Sequence, residues 1–239
     1  RSIAGLDFMA PAAGGWTLSG AFTLLLGAGT VDSGNYGINS QNTSGTNTIS
    51  ATGLNLGANQ SWFVANGGTL AVSSAIGEDA AGRTLTKAGL GTLTLSGADT
   101  YTGLTTVNYG TLKVAAGAGG SLSASTGLTF GGLATFNYDN TGAAVAKAQS
   151  LGALTFSVGD GTVQSTYVAA QTVALTFGSL AARTAGATEN FVVSGGTNGT
   201  TNKIVLTGQT ANAFIDKGAF FGGSSYAWYD TLGFVRAIV

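Results

Sequence analysis

A short apolar phrase, Thr-Leu-x-Leu/Val, returns at nearly even steps: Thr69 to Val72, Thr92 to Leu95 and Thr111 to Val114. A second phrase, Leu-Thr-Phe, starts at Leu128, Leu154 and Leu175, again with steps that differ a little from one another. A drifting period, roughly 20 to 25 here, constrains the chain more than any other feature, because it makes the folding unit a repeat rather than a free-standing core. It fits one coil of a parallel β-solenoid, in which each coil lays its strands on the coil before. Leucine-rich repeats share the period, but their L-x-x-L-x-L-x-x-N signature is absent. Within the repeats Leu, Val and Thr alternate, the period-two pattern of strands with one face inside.

Stacking such coils assigns columns. Leu70, Leu93 and Leu112 are expected in one inward column, and Phe130, Phe156 and Phe177 in another. Outward positions carry Thr, which is β-branched and suits a strand. Corners fall at Gly, Asn and Ser, where φ turns positive. Roughly ten coils at a strand spacing of about 4.8 Å would give a rod on the order of 50 Å long.

Three stretches depart from the pattern. Residues 32 to 48 are polar and read as a loop leaving the coil. Within residues 138 to 152, Ala143 to Leu151 alone has helical character, as a short helix or an irregular loop. Residues 194 to 202 read as a turn between strands Asn190 to Val193 and Lys203 to Thr207.

Composition supports a chain that buries a continuous core. There are 40 Gly but only 1 Pro, and Gly does not fall at every third position, which argues against a disordered linker and against collagen. Charged residues are 8% of the chain, where about 25% is usual, and the net charge is −1. A surface so poor in charge is weakly protected against association, so much of it is expected to touch other protein. Nine scattered Lys and Arg make no basic stripe, which speaks against nucleic acid. No apolar run approaches the roughly 20 residues of a membrane helix.

The segment Leu85 to Val114, LTKAGLGTLTLSGADTYTGLTTVNYGTLKV, carries a denser signature: G-x-G-T-L-T-L-S-G, A-x-T-Y-T-G, T-T-V and G-T-L. It resembles the autotransporter-associated β-strand repeat, found in the exported passenger regions of very large bacterial surface proteins. The resemblance implies a β-helical scaffold outside the cell; it does not imply a chemical activity. The chain begins at Arg1 without Met, and is read as an excerpt of something longer.

Chemistry is sparse. There is no His and no Cys, so histidine bases, Ser-His-Asp triads, disulfides and ordinary zinc sites are excluded. No cofactor and no metal site is expected. Glu78 and Asp79, with Arg83 four residues on, read as a solvated corner with a surface ion pair. Asp99, Lys113, Asp139, Lys147 and Asp160 stand apart, whereas a β-helical polysaccharide lyase or glycosidase needs charges converging on one face. Asp32 and Asp160 read as turn residues rather than calcium ligands. The Thr84/Thr86 and Thr92/Thr94 pairs are too few and too uneven for an ice-binding plane. Sequons at Asn42, Asn59 and Asn198 fit chance in a chain rich in Asn, Ser and Thr, and the GAGG at Gly117 to Gly120 lacks the Lys-Ser/Thr of a phosphate loop.

The expectation is therefore an all-β, right-handed parallel β-helix over residues 1–239, with an aromatic-rich terminal segment at 190–239. Both ends are apolar: Ile3, Leu6, Phe8 and Trp16 at one, Phe220, Phe221, Tyr226, Trp228, Tyr229 and Phe234 at the other. Open ends of opposite polarity join head to tail, so the expected partner is another copy or a neighbouring repeat, in a cell-surface fibre. Replacing Trp228 and Tyr229 with Ser is expected to abolish that joining and leave the fold intact. The alternative is an adhesin that binds glycan or host surface, which requires an exposed aromatic patch on a lateral face.

Overall fold

The structure, a computed structural model, describes residues 1–9, 15–31, 34–168 and 171–238. It is all β apart from one 3₁₀ turn at Ala116–Ala118. Parallel strands stack into a solenoid of about eight turns, shorter than the ten expected, because the coils towards both ends are longer than those in the middle. The coil that carries Thr162 to its partner Asn190 is far longer than the one that carries Thr92 to Thr111.

Each coil visits three walls. The first wall is the stack Thr69–Val72, Thr92–Leu95, Gly110–Ala115, Ala134–Asp139, Asp160–Thr166 and Thr188–Ser194. The second holds Gln60–Val64, Leu85–Ala88, Thr105–Val107 and Leu128–Phe130. The third is made of the second half of Thr46–Leu56, then Ala75–Glu78, and towards the other end Val173–Leu180 and Asn202–Leu206. Pairing is parallel and continuous from residue 128 to 206, so that half extends the same solenoid.

The expected leucine column is present. Leu70, Leu93 and Leu112 are in register and fully buried, and the column continues through Phe136, Val163 and Phe191. Each such side chain removed from water contributes about 1.5–3 kcal/mol. Thr69, Thr92, Thr111, Thr135 and Thr162 form the matching outward file. The phenylalanine column is correct for one step only. Phe130 and Phe156 stack at 4.9 Å and 9°. Phe177 instead pairs with Leu151 on the third wall, and it is Leu180 that pairs with Leu154. The step from Leu154 to the next Leu-Thr-Phe phrase at Leu175 is thus shorter than its coil, which closes only at Leu180.

Corners use glycine for two different reasons. Gly110 adopts φ +68°, closed to most side chains. Gly97 has ordinary φ, but a Cβ there would lie 2.4 Å from the Ser74 carbonyl of the coil below. Close stacking, not only positive φ, accounts for the glycine content.

Two irregular stretches fold further in than expected. Ile38–Ser40 is a buried rung of the second wall, not part of a loop. Its polar neighbours bond to one another inside: Asn42 Nδ2 donates to Asn47 Oδ1 (3.0 Å), and Asn47 Nδ2 to Ser40 Oγ (2.9 Å). Residues 32 and 33 lie outside the described residues. Residues 147–151, expected as helix or loop, open the strand Lys147–Phe156, with Gln149 and Leu151 inside. The ladder to Val173–Leu180 overrides the weak helix preference of the alanines. The turn at 194–202 is present, between Thr188–Ser194 and Asn202–Leu206 on different walls.

The solenoid does not stay open at its far end. Its last parallel rung, Ala219–Phe221, pairs antiparallel with Ser225–Tyr229, which in turn pairs antiparallel with Ala213–Phe214 and Val235–Ala237.

Candidate functional site

The ten residues expected at an assembly interface fall into two groups at opposite ends. At the first end Ser2–Ile3, Leu6–Phe8 and residues 17–20 make the outermost rung, and their partners among the described residues lie on one side only. Phe8 is buried, Ile3 and Leu6 are half-buried, and Trp16 is 54% exposed. Trp16 Nε1 donates to the Met9 carbonyl (3.2 Å), and a cleft of about 370 Å³ opens beside these rings.

At the other end the aromatics mainly close the core. Phe221 ends the leucine–phenylalanine column above Phe191. Phe220 stacks on Tyr226 at 5.6 Å, and Phe214 meets Tyr226 and Trp228 edge-on at 5.9 and 5.1 Å. Tyr229 is buried and its hydroxyl donates to the Gly233 carbonyl (3.2 Å). Phe234 lies over Gly199, where a Cβ would come within 2.3 Å of the ring. Of the six aromatics expected here only Tyr226 is exposed. Tyr229 thus belongs to the packing of the cap, and its replacement is expected to loosen the cap as well as any joining.

The Glu78–Asp79 corner is a clamp between coils. Asp79 pairs with Arg83 Nε at 2.7 Å. Glu78 accepts from the Thr102 hydroxyl (2.7 Å) and backbone N–H (3.1 Å) and from the Arg83 N–H (2.9 Å). Slight burial raises the Glu78 pKa, but these bonds outweigh it and hold it below the usual carboxylate value. Every lone pair engaged this way is occupied in positioning chain, not in awaiting substrate. Asp160 accepts from the Thr188 hydroxyl (2.5 Å), and Asp32 lies outside the described residues.

Lys87, Asp99 and Glu189 are ionisable groups held inside the solenoid, while the buried Asp139 carboxylate is paired with Lys113. Lys87 points inward between Trp62 and Val107, and its Nζ donates to the carbonyls of Ala88 (2.9 Å), Gly89 (2.7 Å) and Tyr109 (3.2 Å). Burial lowers its pKa to about 8. Asp99 accepts the Ile76 N–H at 2.8 Å, and burial pushes its pKa up to about 8. Glu189 lies where the cap meets the solenoid. Burial, reinforced by Asp216 and opposed by Arg183, pushes its pKa up to about 7.

One lateral wall is also aromatic. Tyr36 stacks on Phe63 at 5.0 Å, above a hollow of about 480 Å³ whose far side carries Asn108 and Tyr109. Leu90, Tyr109 and Leu133 occupy the same corner of three successive coils and are 56%, 49% and 62% exposed. The threonine file does not make a matching plane. Its neighbouring outward column carries Ala71, Thr94, Lys113, Asn137 and Gln164.

The geometry defines a parallel β-solenoid scaffold with one exposed edge and one folded-back end. Within it residues 85–114, two adjoining coils at the tightest part of the stack, match the passenger-associated-transport-repeat family. No curated protein and no solved structure matches the chain.

Sequence reasoning missed the inward lysine and the lateral hollow, although both leave a trace. Strict alternation through Leu85, Thr86 and Lys87 puts the lysine inside with the leucine. Adjacent Trp62 and Phe63 on one strand must face opposite ways, so one ring has to lie outside.

Proposed function

We propose that this chain is a structural, non-catalytic segment of an exported passenger rod, lengthened by a further coil on the rung around Ile3, Leu6 and Trp16. The observation that carries this reading is the asymmetry of the ends. The first end offers parallel strands with apolar side chains still half-exposed, the surface on which another coil stacks. The far end reverses strand direction, so a parallel ladder has no template there. That favours growth in one chain over head-to-tail joining of copies. Export to the cell surface is supported by the repeat at 85–114, whose family is associated with passenger transport.

The test is electron microscopy of material released from intact cells, with an antibody to this chain as label. Label on the outside of cells and on thin rods longer than roughly 40 Å, the length of eight rungs, supports the reading. Label on compact particles, or only after lysis, refutes it.

A further inference from the structure

We propose that the hollow between Phe63 and Tyr109 is a binding site for a neutral glycan chain, which would give the rod an adhesive side independent of how its ends are joined. The site is built by the coil register. Phe63 and Ala88 are paired neighbours in one outward column, and Asn108 follows in the next coil. A small residue between two larger ones leaves a slot between coils whose backbones are two rungs, roughly 9–10 Å, apart. A pyranose ring fits such a slot edgewise or flat.

The walls have the chemistry a sugar requires. The axial face of a pyranose presents C–H bonds with partial positive charge, which are attracted to the negative face of an aromatic ring. Tyr36 and Phe63 supply one such surface, and the half-exposed Tyr109 ring supplies another across the slot. Sugar hydroxyls need donors and acceptors at the rim. The Ser61 hydroxyl, the Asn108 amide and the Tyr109 hydroxyl make no hydrogen bond within the described residues, so all three face the hollow or water uncommitted. Few placed polar groups around an apolar floor are the usual make-up of a ligand site.

No lining residue is charged, which selects a neutral ligand over a phosphorylated or uronic one. A peptide added as a strand is disfavoured, because both neighbours of the Leu85–Ala88 strand are already in place.

The site is also preorganised. Lys87 ties the Ala88, Gly89 and Tyr109 carbonyls together from beneath, which fixes the two corners that carry Leu90 and Tyr109. Gly89, at φ +76°, lets the backbone lie against the Phe63 ring, where a Cβ would stand 2.8 Å from its edge. A site held in shape before binding loses less freedom on binding. The slot is open on one side and runs on to the exposed Leu90, Tyr109 and Leu133 ridge, so it accommodates an extended chain rather than a single enclosed sugar.

The experiment is a titration of the whole chain with hexamers of glucose, mannose, galactose and N-acetylglucosamine, followed by amide chemical shifts. At least one hexamer is expected to bind and to move residues 61–63, 88–90 and 108–109. Tyr109→Ala, which removes a ring but keeps the carbonyl that Lys87 holds, is expected to weaken binding about tenfold. Ala88→Phe, which fills the slot, is expected to abolish it, and Tyr109→Ala should keep the parent melting temperature. Absence of binding by all four hexamers overturns the proposal, as do shifts confined to another wall. Equal affinity in a folded Tyr109→Ala variant overturns it as well. Should Ala88→Phe fail to fold, Asn108→Ala takes its place, with weakening again the supporting result.

Discussion

The coils spanning residues 69–114 and the segment after Leu206 must both cover an apolar core, and they do so in opposite ways. In the central coils each strand edge is satisfied by the next coil, in parallel, and the inward positions repeat Leu on Leu and Val on Leu. Small residues at the corners let successive coils approach closely. In the terminal segment the chain supplies its own cover. It turns back on itself through antiparallel pairs, and large rings take over from stacked aliphatics. Repetition is thus a sufficient solution only where another coil follows. Where the ladder ends, volume and strand reversal replace register.

The largest expected effect tests that difference directly. Leu93→Ala leaves a cavity with Leu70 on one side and Leu112 on the other, neither free to collapse into it, and should cost about 3–4 kcal/mol in urea unfolding. Phe221→Ala, at the half-buried end of the same column, should cost clearly less, about 1–2 kcal/mol, despite removing a larger side chain. Equal losses would erase the distinction between the two regions.

A second test uses pH. Asp99 in the central coils and Glu189 beside the cap both have raised pKa values, about 8 and about 7, so the folded state holds protons that the unfolded chain has released. Their contribution is whole below the unfolded carboxylate value and is lost as pH rises through the folded one. Stability should therefore fall from about pH 4 to pH 8, with the larger share of the fall coming from Asp99, whose shift is the larger. Hydrogen exchange at pH 5 and pH 9 should show Asp99→Asn flattening the loss in the central coils and Glu189→Gln flattening it in the terminal segment. A slope unchanged by both variants would place the protons elsewhere.

The smallest expected effect sharpens the picture of the cap. Tyr226 is exposed and rests on Phe220, so Tyr226→Ser should shift stability by no more than about 0.5 kcal/mol. Trp228→Ser, which removes a half-buried ring and its contact with Phe214, should cost more. A large loss at Tyr226 would show that the ring is structural rather than superficial.

Much of the scaffold was legible in the chain because the period is written in the residues that set it. Thr69, Thr92 and Thr111 mark the same position of three coils, and Leu70, Leu93 and Leu112 follow from them. Phe177 misled because the same three-letter phrase serves two walls, and a phrase cannot say which corner it precedes. The strand at Lys147–Phe156 was hidden by alanines whose local preference is overruled by pairing partners on both sides. The buried asparagines near Ser40 were hidden because polar residues enter a core only when their partners are already arranged, and the bend that brings Ser40, Asn42 and Asn47 together has no apolar pattern to mark it. The apolar ends were visible as composition. Their difference was not, since strand direction depends on how the chain returns after Phe221.

The direction of the ladder bonds has a further consequence when the rod is pulled. In a solenoid they run along the long axis, so a load applied at the ends strains them head-on, one rung at a time, rather than in shear across many. Each coil that yields releases its whole contour. The coil from Thr92 to Thr111 would lengthen from one rung of about 4.8 Å to roughly 65 Å, and the coil from Thr162 to Asn190 to roughly 95 Å. A tether made this way gives ground in discrete steps before it breaks, and it gives more ground towards either end than in the middle, where its coils are shortest.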